Sequence, residues 1–261
     1  MDVNFTAKPI AFYKPFKEST SRALTVYELE TRDLKFLNKF KKQIKNDSVL
    51  KEENNVYYKI ALSTLDSIIK SLKIKNRFGV SDKSAAYIAV NDKKITSLIQ
   101  GNLPKVNLAQ GKIVYSARNL PKESELDWLA TIPTKGKDKV PTASAPAVVA
   151  ELFNYIFKLP QKIKSVYCSS VLPENCEKSL KFYEKIGFKA VGNAVKMESS
   201  NGPVDLNYFT SVDSFKYYAD EVLPMVISKA DAKKAITDIS KKFDREEIKN
   251  AKSVDLNKIV I

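Results

Sequence analysis

Histidine is absent from the 261 residues, and only two cysteines, Cys168 and Cys176, are present. The first absence excludes His-based nucleophile triads and the usual histidine metal sites, and two cysteines cannot complete a zinc site alone. No metal is therefore expected. The pair fits reduced thiols in a reducing compartment rather than a disulfide framework. No apolar run approaches the length needed to span a bilayer. A basic stretch followed by an apolar one, the mark of a secretory leader, is also missing at the N-terminus. The expectation is a cytoplasmic chain with no membrane partner. No internal repeat and no arginine-rich arm is evident.

Lysine, by contrast, is abundant. Lys plus Arg number 44 against 30 Asp plus Glu, a formal net charge of +14 spread along the chain. Such a surface favours anionic ligands. Without a basic patch interleaved with aromatics, nucleic acid is not expected as the main partner. Hydrophobic content of 44% suits a globular protein, and the length suits one large domain or a domain with an appendage.

Periodicity divides the chain into helices and strands. Residues 1–24, with Pro9, Pro15 and a Lys-Glu-Ser-Thr-Ser run, read as an extended or disordered arm. Residues 25–29 alternate like a strand. Thr31 and Asp33 then open a helix whose Leu34, Leu37, Phe40 and Ile44 form one apolar stripe. After a polar loop at 46–55, a second helix places Ala61, Leu65, Ile68 and Leu72 on one face. Strands at 85–90 and 95–99 flank Asn91-Asp92-Lys93-Lys94, a hairpin turn. Further strands are expected at 112–117, 126–132, 163–171 and 204–209. From Ser214 onward two helical segments are expected, the last with Ala232, Ile236, Ile239 and Phe243 on one face. Residues 254–261 alternate weakly and suit a sheet edge.

Two stretches carry candidate chemistry. The first is Ser179-Leu180-Lys181-Phe182-Tyr183-Glu184-Lys185-Ile186-Gly187-Phe188, a helix that Asn175 can cap and that Gly187 stops in a left-handed conformation. Leu180, Tyr183 and Ile186 share one face, and the Tyr183 hydroxyl is the only polar atom on it. The second runs from Leu129 through Pro133, Lys135, Gly136 and Lys137, then from Ala143 through Ser144, Ala145 and Pro146 into an apolar helix. A strand, a loop and a helix N-terminus in that order can present backbone amides to an anion. Pro146 suits the first turn, where its missing amide would be unpaired anyway.

These two stretches, with the element order between them, resemble the GNAT superfamily of N-acetyltransferases. The resemblance covers about residues 25–209 in outline, and at residue level the regions near 126–157 and 171–188. It implies an α/β (α+β) fold: a mixed, mostly antiparallel sheet flanked by helices. The acetyltransferase domain would occupy residues 25–212, with a helical C-terminal extension at 213–261. The implied activity is transfer of an acetyl group from acetyl-CoA to a primary amine of a small molecule or peptide, by direct attack in a ternary complex. Tyr183 would protonate the departing thiolate, and Glu125 or Asp127 would take the amine proton, directly or through a water. Amides near Ala130 and Ile132 would meet the oxyanion. Lys135, Gly136, Lys137, Ser144 and Ala145 would hold the pyrophosphate, and Asn175 would touch the pantetheine arm or serve only as the helix cap.

The chain departs from the family pattern in places. About six residues, 138–143, are inserted before the helix, and Ala143 and Ala145 stand where glycines are usual. Cys176 holds the spacing at which the family often places an asparagine, with Asn175 one residue earlier. These departures leave open a GNAT-like protein that binds a ligand without turnover, and beyond it a basic nucleic-acid-associated module. Neither the acceptor nor the oligomeric state is legible.

Overall fold

The computed structural model describes residues 6–16, 22–47, 56–78, 84–102, 123–132, 144–159, 162–171, 176–190, 195–196, 221–249 and 254–255. The first elements are β1 (Thr6–Pro15), β2 (Leu24–Glu28), α1 (Leu34–Asn46), α2 (Val56–Phe78), β3 (Ser84–Asn91) and β4 (Lys94–Asn102). Then come β5 (Glu123–Thr131), α3 (Ser144–Lys158), β6 (Ser165–Val171), α4 (Cys176–Lys185), β7 (Lys189–Ala190) and β8 (Val195–Lys196). The last are β9 (Glu221–Ser228), α5 (Lys229–Ser240), β10 (Phe243–Glu247) and β11 (Val254–Asp255). The strands are mostly antiparallel and helices flank them, so the fold is mixed α/β. Two compact units divide the chain: Met1–Leu103 with Trp128–Tyr155 and Thr237–Ile261, and Pro104–Asp127 with Ile156–Ile236.

In the first unit the strands lie in the order β10-β1-β2-β3-β4, antiparallel at each step. The end of β5 joins β4, where the Ile132 amide donates to the Thr96 carbonyl at 3.0 Å. The β3–β4 hairpin turns where expected, with Asp92 at φ 44° and Lys93 at φ 64°. Two successive positive φ values give the twist that matches paired strands. The Asn91 side chain fastens the turn by donating to the Ala23 carbonyl at 2.7 Å.

One face of this sheet takes α1 and α2, because their apolar stripes have the helical period. Leu37, Phe40 and Ile44 of α1 and Ala61, Leu65, Ile68 and Leu72 of α2 are buried against Tyr27, Leu29, Ile88, Val90, Leu98, Ala130 and Ile132. Each large side chain buried in this way contributes about 1.5 to 3 kcal/mol of transfer free energy. The other face carries the alternate residues, among them Tyr13, Leu24, Val26 and Tyr87, and meets α3 through Glu151. Ala147, Val148, Val149, Ala150, Leu152 and Phe153 of α3 are all at most 1% exposed. A helix apolar on nearly every side must be covered on nearly every side.

In the second unit β6 lies between β5 and β9. It is parallel to β5, with Glu123↔Ser165, Ser124↔Val166 and Glu125↔Tyr167 as register partners, and antiparallel to β9. The two-residue strands β7 and β8 also pair with β9. Ser228 caps α5: the Asp231 amide donates to its Oγ at 3.1 Å, and that hydroxyl donates to Asp231 Oδ2 at 2.9 Å. Cys168 is a buried thiol.

Two expectations from the sequence change here. The segment read as an extended or disordered arm contributes β1, paired on both edges by β2 and β10 and at its start by β11. Ala7, Ala11 and Tyr13 are at most 1% exposed, so the strand is a core element. Its prolines are tolerated because Pro9 sits at a register shift and Pro15 at the strand end. The segment after residue 213, read as helical, supplies the strands β9, β10 and β11 as well as α5. Pro224 interrupts β9 between Leu223 and Met225, where the ladder with β6 is irregular, and Val222, Val226 and Ile227 are β-branched. Phe243 begins β10 rather than ending the last helix. The strands expected at 112–117 and 204–209 lie outside the described residues.

Candidate active site

Tyr183 lies in the last turn of α4, and the way that helix ends decides where its ring goes. Gly187 has φ +98°, the Gly187 amide donates to the Glu184 carbonyl at 2.9 Å, and the Phe188 amide donates to the Tyr183 carbonyl at 3.0 Å. This is the Schellman stop, and its usual companion is an apolar contact between the residue after the glycine and the one five positions earlier. Here that pair is Phe188 and Tyr183, whose rings meet edge to face at 5.4 Å. Phe182 packs on the same ring at 5.5 Å. Leu180 and Ile186 share the buried face at 4% and 8% exposure, and Tyr183 itself is 8% exposed. The Gly-Phe pair is thus the device that fixes the phenol on its helix. A β-carbon at Gly187 would lie 3.4 Å from Asp231 Cβ and 3.5 Å from Ile227 Cδ1, so α4 also ends in close contact with the start of α5.

Glu125 and Asp127 are half-buried and lie on the same face of β5 as Thr131, while Leu126 and Ala130 are buried on the other. Ser124 is 2% exposed, and its hydroxyl has no hydrogen-bond partner among the described residues. Since the Ile132 amide is engaged by Thr96, that group is already part of the sheet. Amides alternate between the two edges of a strand, so the Ala130 amide points the same way and the Thr131 amide the opposite way.

Ser144 is the first residue of α3 and is 1% exposed, and Ala145 beside it is half-buried. Pro146 falls in the first turn, as its missing amide allows. About two turns after Ser144, the helix buries a carboxylate that sequence reasoning passed over. Glu151, 4% exposed, accepts from Arg245 Nε at 2.6 Å and Nη2 at 2.9 Å, and from the Tyr13 phenol. Tyr13 and Arg245 are register partners on β1 and β10, so both side chains leave the same face of the sheet. Phe243 closes on the Tyr13 ring at 6.1 Å. Burial, reinforced by the adjacent Glu151 carboxylate, pushes the Tyr13 phenol far above its ordinary value, so it stays a donor. The signal in the sequence was a single acid within Val148-Val149-Ala150-Glu151-Leu152-Phe153. An acid embedded in an otherwise apolar helix needs a partner, and the sequence does not say which.

Lys135, Gly136, Lys137 and Asn175 lie outside the described residues. Among the described residues no group of three or more acids and cysteines stands where it could hold a metal ion, and no helix is long and apolar enough to cross a membrane.

No family model matches the sequence, and no curated protein does. Solved structures show similarity to the chain at low identity. The RimJ protein of Mycobacterium smegmatis, in complex with CoA-disulfide, is 12% identical with a TM-score of 0.49, over 89% of this chain and 94% of that one. A mutant spermidine/spermine N-acetyltransferase of Vibrio cholerae is 17% identical with a TM-score of 0.45, over 81% and 98%. A Desulfovibrio desulfuricans protein described as a GNAT-family acetyltransferase is 11% identical with a TM-score of 0.47, over 79% and 99%.

Proposed function

We propose that the protein transfers an acetyl group from acetyl-CoA to a primary amine of a small molecule or peptide, by direct attack in a ternary complex. What supports the reading most is the state of Tyr183: a phenol on a helix whose stop locks its ring against Phe188, in the string that carries the family resemblance. A proton donor held in one rotamer is what a departing thiolate needs. In this reading Glu125 or Asp127, half-buried on β5, takes the proton from the amine. The oxyanion is met by the Thr131 amide rather than that of Ile132, which the sheet already uses. The pyrophosphate is met by the amides at the start of α3, at Ser144 and Ala145, with Lys135, Gly136 and Lys137, which precede the helix in sequence. Asn175 contacts the pantetheine arm.

Calorimetry with coenzyme A and turnover of a panel of amines, on the wild type and on Tyr183→Phe, test it. The expected result is coenzyme A heat from both proteins and turnover that falls about a hundredfold or more in the variant. Equal turnover would remove Tyr183 from the mechanism. No heat from the wild type would remove the cofactor and the reaction with it.

A further inference from the structure

The triad of buried Glu151 and Tyr13 with partly buried Arg245 stabilises little by itself, and its position suggests another purpose. Moving a carboxylate and a guanidinium out of water costs several kcal/mol per ion, and their attraction on average only restores the balance. The surrounding helix has ample apolar burial: Ala147, Val148, Val149, Ala150, Leu152 and Phe153 are at most 1% exposed. At Ala147, Val148, Val149 and Ala150 the buried residues are small and similar, and such a turn does little to distinguish one rotation or axial position of the helix from the next. The triad does distinguish them. Arg245 grips both carboxylate oxygens with two donors, at 2.6 and 2.9 Å, and so fixes the carboxylate plane. The Tyr13 phenol adds a third donor from the adjacent strand, at a register position opposite Arg245. Two strands near the ends of the chain thereby set where α3 sits along its axis and about it.

We propose that Glu151, Arg245 and Tyr13 are positioning residues that fix the start of α3 for the pyrophosphate of the acyl donor. The proposal rests on the acetyl-CoA reading above and adds residues that reading does not contain. Glu151 stands seven residues after Ser144, about 10 Å along the helix axis, too far to touch the phosphates itself. Its effect on the donor must run through the rigid helix. A displacement of about 1 Å at a binding constellation can lower efficiency by as much as a hundredfold.

Glu151→Met/Arg245→Met tests this, because it removes both charges at similar volume and leaves neither ion unpaired. Tyr13→Phe is the milder second variant, removing one donor and nothing else. Both are compared with the wild type on acetyl-CoA and on acetyl-pantetheine, a donor that carries the thioester but no pyrophosphate. The expected result for the double variant is a KM for acetyl-CoA raised about tenfold with kcat retained, and a smaller loss on acetyl-pantetheine. Tyr13→Phe shifts the same ratio in the same direction by less. Equal losses on the two donors would reduce the triad to general stability and overturn the proposal, as would an unchanged KM for acetyl-CoA. Coenzyme A heat separates that failure from failure of the underlying reading. A wild type that binds coenzyme A as tightly as the double variant does sinks the positioning role alone, and a wild type that gives no heat sinks both.

Discussion

The helices α3 and α4 are fixed by opposite means. α4 carries its own instructions: an apolar stripe at Leu180, Tyr183 and Ile186, a glycine at φ +98°, and a phenylalanine that folds back on the tyrosine five residues earlier. Every contact named there lies within nine residues of sequence. α3 is apolar over most of its surface and takes its placement from a carboxylate whose partners stand 138 and 94 residues away. A helix with a local stop can be formed and oriented by its own segment, whereas a helix with a distant clasp is oriented only once both ends of the chain are in place. Loop-closure entropy makes the second arrangement the costlier one to assemble.

The sharpest way to break the contrast is to cut the clasp on one side. Arg245→Met leaves the Glu151 carboxylate buried without its cation, and a buried ion stripped of its partner destabilises by about 3 to 5 kcal/mol. Urea unfolding followed by circular dichroism should register a loss of that size, and Glu151→Met added to it should recover most of the loss. If Arg245→Met unfolds at the wild-type midpoint, the clasp carries no strain between its partners and α3 is held by apolar packing alone. The corresponding change in α4 is Gly187→Ala. A side chain at a positive φ costs about 1 to 2 kcal/mol, and the new β-carbon, in ordinary contact with Asp231 Cβ at 3.4 Å, adds no clash to that. The loss should be smaller than that of Arg245→Met and should be accompanied by a changed environment of the Tyr183 ring, read in its NMR ring-proton shifts. A variant with native stability and unmoved Tyr183 resonances would show that Phe188 holds the ring without the glycine.

The same contrast explains what could be read in the sequence. The stripe of α1, with Leu37, Phe40 and Ile44, the face of α2, the hairpin at Asp92 and Lys93, and the Gly187 stop are all local patterns, and each has its counterpart in the structure. The edge pairing near Val254 was also legible, as weak alternation. What escaped depends on partners far away in the chain. β1 looked like an arm because Pro9 and Pro15 are strand breakers unless a bulge and a strand end receive them, and only the pairing with β2 and β10 provides those places. β9 was read as helix for a similar reason: the irregular ladder that accommodates Pro224 is made by β6. At the candidate site, the buried Tyr183 and its helix stop are legible in their own string. The engagement of the Ile132 amide by Thr96 and the triad at Glu151 are not, because both are cross-chain hydrogen bonds with no periodic signature.

Asp33 offers the finest test of what a local arrangement can and cannot supply to a buried carboxylate. Like Glu151 it is buried, at 0% exposure, but its arrangement is local: Oδ2 accepts the Glu30 amide at 2.8 Å, and Oδ1 has no partner among the described residues. Burial therefore outweighs the single backbone bond and the nearby Arg32, and the carboxyl is raised from 3.8 to about 6. A carboxyl whose folded value lies above its unfolded one binds its proton more tightly in the folded state. Its favourable contribution is complete below pH 3.8 and is lost as pH rises through about 6. Asp33→Asn keeps an acceptor for the Glu30 amide and removes the ionisation. The variant should gain about 1 kcal/mol over the wild type at pH 7 to 8, and the gain should shrink toward pH 4. Urea midpoints across that range measure it. A difference between the two proteins that stays flat with pH would mean that Asp33 titrates alike in both states, and that a single backbone amide is enough to hold a buried charge that Glu151 holds only with a guanidinium and a phenol.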